Sequence, residues 1–156
     1  MMKRFLSFAW VTFLFFSCET GGLTSTPSEI EGVWIFKGYQ QGTYSCEDDL
    51  EKVTLEITRK GDKFEISGQS FINTYFSRAE VSYNRGNRSG SIAFEGIGTT
   101  KMGGPEHLMS CESVYYKMLG DANTLKIEDR RLYLGRIPLL NESRLPDTLI
   151  FEKKGV

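Results

Sequence analysis

From residue 30 onward, apolar and polar side chains alternate with a period of two. Val53, Leu55 and Ile57 interleave with Thr54, Glu56 and Thr58; Phe64 and Ile66 flank Glu65, and Ile92 and Phe94 flank Ala93. The same rhythm returns at Leu125 and Ile127, Leu132 and Leu134, and Leu149 and Phe151. Each stretch reads as a strand with one face buried. Val33-Trp34-Ile35-Phe36 is apolar at every position, which places the first strand where both faces are covered or where a barrel closes. Lys60-Gly61-Asp62, Arg85-Gly86-Asn87 and Asp129-Arg130 supply the turns. The fold class is mainly β, an antiparallel meander of short strands.

One segment departs from this rhythm. Gly103-Gly104-Pro105 precedes a run from Glu106 to Leu119 in which Leu108, Cys111, Tyr115 and Met118 share one face at helical spacing. Pro105 suits the first turn, and Gly120 suits a left-handed residue past the end. Glu106 and Lys117 complement the helix dipole. One amphipathic helix of about four turns is therefore expected on, or plugging, the sheet, with Leu108 in its buried face.

The first eighteen residues follow neither pattern. Lys3 and Arg4 precede an apolar run from Phe5 to Phe16, then Ser17 and Cys18. This is the order of a secretory signal peptide. The run is about a dozen residues, short of the roughly twenty that span a bilayer. A Cys directly after the small residue resembles the bacterial lipoprotein cleavage box, although Phe15 and Phe16 replace its usual Leu and small residue. That reading makes 1–17 the leader and Cys18 the site of lipid attachment, with acyl chains such as palmitate. The protein is then expected in the cell envelope, held to a membrane by its lipid, on the outer membrane's periplasmic side or surface. The alternative is an ordinary secreted chain with Cys18 a plain thiol. Residues 18–29 hold one apolar side chain, Leu23, among small and polar ones, and read as a flexible tether. Residues 30–156 form the single domain, large enough for its own core.

Net charge is −1, with both signs interspersed. No basic stripe points to nucleic acid. Glu47-Asp48-Asp49 with Glu51 is the densest acidic cluster; it lacks the alternating carboxylates and central Gly of a calcium loop and reads as a solvated turn. With Cys18 acylated, Cys46 and Cys111 are an even pair in an exported domain. They either close a loop of about 65 residues, contributing up to ~4 kcal/mol, or stand as two thiols with Cys111 in the core.

Reactive chemistry is thin. The single histidine, His107, lies in the first helical turn with Ser110 and Cys111 near its face. No oxyanion donors accompany them. One His and two unspaced Cys make a poor zinc set, so no metal or cofactor is expected. Thr99-Thr100-Lys101 before Gly103-Gly104 lacks the order of a phosphate loop; Thr100 is read as satisfying backbone groups. The aromatics, Trp34, Phe36, Tyr39, Tyr44, Phe64, Phe71, Tyr75, Phe76 and Phe94 among them, either fill a narrow barrel or line an apolar pocket. Arg78, Arg85 and Arg88 beside Tyr75 and Tyr83 suit either a solvated hairpin or a protein contact. Leu140 to Pro146 reads as a long loop before the last strand.

Thr99-Thr100-Lys101-Met102-Gly103-Gly104-Pro105, the helix after it, and Thr124-Leu125-Lys126-Ile127 together resemble the META domain family, which includes bacterial heat-shock lipoproteins of the envelope. Gly68 to Tyr75, with Asn73, sits where that family has a Gly-rich stretch and an Asn, and Gly32-Val33-Trp34 matches its opening Trp. The positions that carry the resemblance are Trp34, Asn73, Thr100, Met102, Gly103 and Pro105, all expected to be structural. The resemblance implies a small antiparallel lipocalin-like barrel of about eight strands with one helix. Many members carry Cys before the Asn and Cys before the Pro. Here Ile72 and Gly104 stand there, a joint loss that makes sense if those cysteines pair, with Cys46 and Cys111 a relocated pair. The resemblance further implies a non-enzymatic role, binding or structural, in envelope stress. The other expectations are a lipocalin-like carrier of a small apolar ligand and an inhibitor or interaction module for an envelope protein.

Overall fold

The computed structural model describes residues 29–40, 46–137 and 148–155. The leader, Cys18, the tether as far as Ser28, Tyr44 and the loop from Leu140 to Pro146 lie outside the described residues.

Eight strands follow one another round a closed barrel in chain order. They are β1 (Gly32–Tyr39), β2 (Thr54–Lys60), β3 (Lys63–Gln69), β4 (Thr74–Asn84), β5 (Ser89–Thr99), β6 (Thr124–Glu128), β7 (Arg131–Gly135) and β8 (Thr148–Lys153). A short 3-10 helix (Glu47–Lys52) precedes β2, and the helix α1 (Glu106–Asp121) separates β5 from β6. Every neighbour is antiparallel, and β8 returns to β1 with Phe36 opposite Phe151. The all-apolar start of β1 is thus explained by barrel closure: Trp34 and Phe36 point into the core, while Val33 and Ile35 are half-buried outside.

The alternation sorts side chains as expected. Leu55, Ile57, Phe64, Ile66, Leu125, Ile127, Leu132, Leu134, Leu149 and Phe151 are all buried. The turns obey backbone chemistry. Asp129 and Arg130 both have positive φ (47° and 66°) between the paired Glu128 and Arg131, the signature of a tight two-residue hairpin. Gly61 (φ 65°) does the same for β2–β3.

The wall is incomplete between β5 and β6, which pair only over Ser89–Ser91. From there α1 lies against β5 and β8. A Cβ on Gly120 would sit 3.7 Å from Ile97 Cδ1 of β5, an ordinary van der Waals contact, so the last turn of the helix lies beside that side chain. Tyr115 enters the barrel mouth and is fully buried. Its ring centroid is 5.3 Å from Phe36, 5.8 Å from Tyr75 and 6.4 Å from Phe151.

Two expectations for the helix need correction. Gly120 is not a left-handed residue past the helix end. It lies inside α1, which continues to Asp121 and leaves through an extended Ala122. The buried face must reach Leu119 and Ala122 before β6 begins, so the helix cannot stop earlier; Asp121 then takes Lys117 (2.9 Å) and Arg136 (3.3 Å). Leu108 is only half-buried; the inward face is Cys111, Glu112, Tyr115, Met118 and Leu119. A charge at 108 therefore reaches water, whereas one at Leu119 would not.

Candidate functional site

The helix end of the barrel holds a buried polar cluster centred on Glu112, which is 8% exposed. Glu112 follows Cys111 on α1 and faces the loop that joins β3 to β4. That loop folds on itself, with the Ser70 N–H bonded to the Asn73 carbonyl (2.8 Å). Its backbone donors then point at the helix. Glu112 Oε1 accepts the N–H groups of Ile72 (3.1 Å) and Asn73 (2.8 Å), and Oε2 accepts Asn73 Nδ2 (2.7 Å). The Ser70 hydroxyl, fully buried, also meets Oε1. Its one proton goes to the carboxylate, the strongest acceptor within reach. The Tyr116 hydroxyl, 2.8 Å away, covers the Ser70 oxygen.

Asn73 carries the connection onward. Its Oδ1 accepts the Thr100 hydroxyl (2.8 Å) and the Met102 N–H (2.7 Å), while Nδ2 also reaches the Met102 carbonyl (3.2 Å). One amide thus ties the β3–β4 loop, the β5–α1 connection and the helix. Thr100 adds a bond from its N–H to the Thr74 carbonyl (3.1 Å) and accepts the Thr74 N–H on its hydroxyl (3.2 Å).

Two opposed effects set the Glu112 carboxyl. Burial pushes its pKa up, but the donors from Ser70, Asn73 and Ile72 outweigh this and hold it below the ordinary carboxylate range. Burial raises the neighbouring phenols. Tyr116 is pushed up to about 12. Tyr75 and Tyr115, bonded to each other at 2.8 Å, are raised further. At neutral pH the cluster is one carboxylate among neutral donors.

A covalent tie lies beside it. Cys46 and Cys111 form a disulfide with Cα atoms 6.2 Å apart, joining the chain just before the 3-10 helix to α1. A second approach lies on the other side of the loop. A Cβ on Gly104 would fall 2.6 Å from Ile72 Cδ1. Positions 72 and 104 are therefore neighbours in space.

The residues singled out in the sequence divide by this geometry. Asn73 and Thr100 are bonded into the cluster. Met102 contributes its backbone, and its side chain is exposed. Pro105 sits just before α1 with an extended backbone (ψ 139°), one residue ahead of the first turn expected for it, and makes no side-chain cap bond. Nothing around Gly103 requires a glycine. Trp34 belongs to the opposite end, where its indole N–H bonds the Ile30 carbonyl (2.8 Å). Glu47 to Lys52, the acidic stretch, has the backbone of a 3-10 helix. His107 and Ser110 are exposed on α1, and Cys111 is spent in the disulfide, so these three make no nucleophile and base. Among the described residues, no three His, Cys, Asp or Glu side chains gather as metal ligands do. Sequence reading missed Ser70, Glu112 and Tyr116. The only local signal was Glu112 and Tyr116, four apart, beside the apolar stripe of the helix.

These features, a Trp at the first strand, an Asn hub and a Thr-x-Met segment before the helix, coincide with a family comparison in which residues 30–144 match the META domain. The chain belongs to the META domain family. The barrel extends past the matched segment, since β8 closes it. The fold is shared with a solved structure, the NMR structure of a protein from Burkholderia xenovorans. It superposes with a TM-score of 0.55 at 18% identity, over 80% of this chain and 82% of that one. No curated protein matches the sequence.

Proposed function

We propose that this META protein is a lipid-anchored component of the cell envelope that acts without catalysis, by binding or structural support, during envelope stress. The observation that carries the reading is the leader ending in Ser17-Cys18. The domain supports it in three ways. The Glu112 cluster meets its own donors, so it holds chain segments together and offers no free acid or base. Strand β4 alternates buried Tyr75, Ser77 and Ala79 with exposed Thr74, Phe76, Arg78 and Glu80, so its outer face carries charges beside one aromatic ring. A barrel that spans a bilayer needs an apolar outer wall, so this wall suits water and leaves membrane attachment to the lipid. The disulfide suits an oxidising compartment.

Metabolic labelling with a fatty acid tests the anchor. The wild-type chain should take up label and Cys18→Ser should not; equal labelling of both would reject attachment at Cys18. The carrier reading is weaker. Phe36, Tyr115 and Phe151 stack across the barrel mouth within 6.4 Å of one another, filling space an apolar ligand would need.

A further inference from the structure

The chain enters the barrel beside a group of four cations. Lys153 Nζ donates to the Glu29 carbonyl (2.9 Å) and lies 5.1 Å from the Trp34 ring centroid. The Lys153 N–H bonds the Arg130 carbonyl (2.9 Å), and Arg130 Nη2 returns a bond to the Lys153 carbonyl (3.2 Å). Arg131 and Lys154, the next residue along each strand, are both exposed. Most nearby acids are occupied. Glu29 takes Tyr83 (2.9 Å) and Arg88 (4.0 Å), while Glu128 and Glu152, which flank Arg131 in register on either side, take Lys126 (3.0 Å) and Lys37 (3.8 Å). Asp129 and Glu31 are left against four positive charges. The group lies at the hairpin end, away from α1 and the Glu112 cluster.

We propose that Arg130, Arg131, Lys153 and Lys154 form the membrane-facing patch of this protein, and that they bind the headgroups of anionic lipids. Two observations support this occupant. One is charge complementarity. The other is where the chain leaves the barrel: Glu29, in contact with Lys153, is the last described residue before the stretch that leads to Cys18. The argument from that stretch rests on the anchored reading above. Eleven residues reach at most about 40 Å. An acyl chain at Cys18 thus holds the patch close to the surface, where each cation near an anionic leaflet strengthens binding roughly fivefold. A lipid plus a basic patch is a two-signal attachment, stronger than either alone. It also sets orientation, with hairpins toward the membrane and the helix end away from it.

The test needs no lipid on the protein. The chain from Glu19 onward, which keeps every described element, is sedimented with vesicles of phosphatidylcholine alone or mixed with phosphatidylglycerol. It should bind only the mixed vesicles, and rising salt should release it. Arg131→Glu with Lys154→Glu should weaken binding at least about tenfold. Neither side chain bonds within the described residues, so both variants should fold, with circular dichroism as the check. Arg78→Glu with Lys101→Glu, on the wall and at the helix end, should leave binding unchanged. Equal binding to both vesicle types, no binding at low salt, or equal loss in the two double variants would overturn the proposal. Fatty-acid labelling of Cys18 is read separately, so an absent anchor and an inert patch give different results.

Discussion

Asn73 and Glu112 show how much one side chain can hold in this domain. A buried carboxylate costs free energy unless its oxygens are met, and here Oε1 and Oε2 are met from the loop side by Ser70, Ile72 and Asn73. Glu112→Ala leaves those buried donors unpaired and should cost about 3 kcal/mol, read as a lower urea midpoint with unchanged slope. The pH dependence follows from the sign of the shift. The folded carboxyl titrates below its ordinary value of about 4.5. Its contribution is therefore complete above that value and is lost as pH falls through the folded-state pKa. The wild-type midpoint should drop on acidification below 4.5, and Glu112→Gln should flatten that drop. An unchanged slope of stability against pH in the variant would count against the assigned role. None of this was legible locally. Glu112 reads as one more charge on a helix, and its partners lie some forty residues away.

Among elements, α1 depends on its tertiary attachments. Its apolar stripe was visible at helical spacing, and its start beside Pro105 followed from backbone chemistry. Its end was not visible, because a glycine there reads as a stop, whereas burial of Leu119 and Ala122 carries the helix past Gly120 to Asp121. The disulfide fastens α1 to the chain before the 3-10 helix across a separation of 65 residues. Cys46→Ala with Cys111→Ala should lose up to about 4 kcal/mol. Adding Ile72→Cys and Gly104→Cys to that variant should form a new bond and recover part of the loss. The check is a thiol count on the unfolded, unreduced protein. In the chain from Glu19 onward, which lacks Cys18, two free thiols in that count would mean that the approach of residues 72 and 104 does not persist in solution. Strand β4 was the least legible element. Its inward face runs Tyr75, Ser77, Ala79, Val81 and Tyr83, but Phe76 points out at 67% exposure beside the small, buried Ser77, so the start of the strand blurs the period-two signal.

For the whole molecule, closure decides stability. The first strand has β2 on one side and β8 on the other, so β8 completes the hydrogen bonding of the chain's own beginning. Ending the chain at residue 137 removes β8 and leaves β1 and β7 as open edges. That truncation should fail to fold, seen as a red-shifted Trp34 emission and concentration-dependent aggregation. A folded monomer would show that closure is dispensable.

The amino-acid sequence determined the quantities that depend on neighbours along the chain. These are the strands of period two, the tight turns, the amphipathic helix and the order of charged, apolar and small residues before Cys18. Local backbone geometry and the burial of alternate side chains suffice for each. Tertiary structure decided which distant groups meet: Asn73 with Thr100 and Glu112, Cys46 with Cys111, Gly104 with Ile72, and four cations with the point where the chain enters. Those encounters depend on barrel register and closure, and no short window of sequence encodes them.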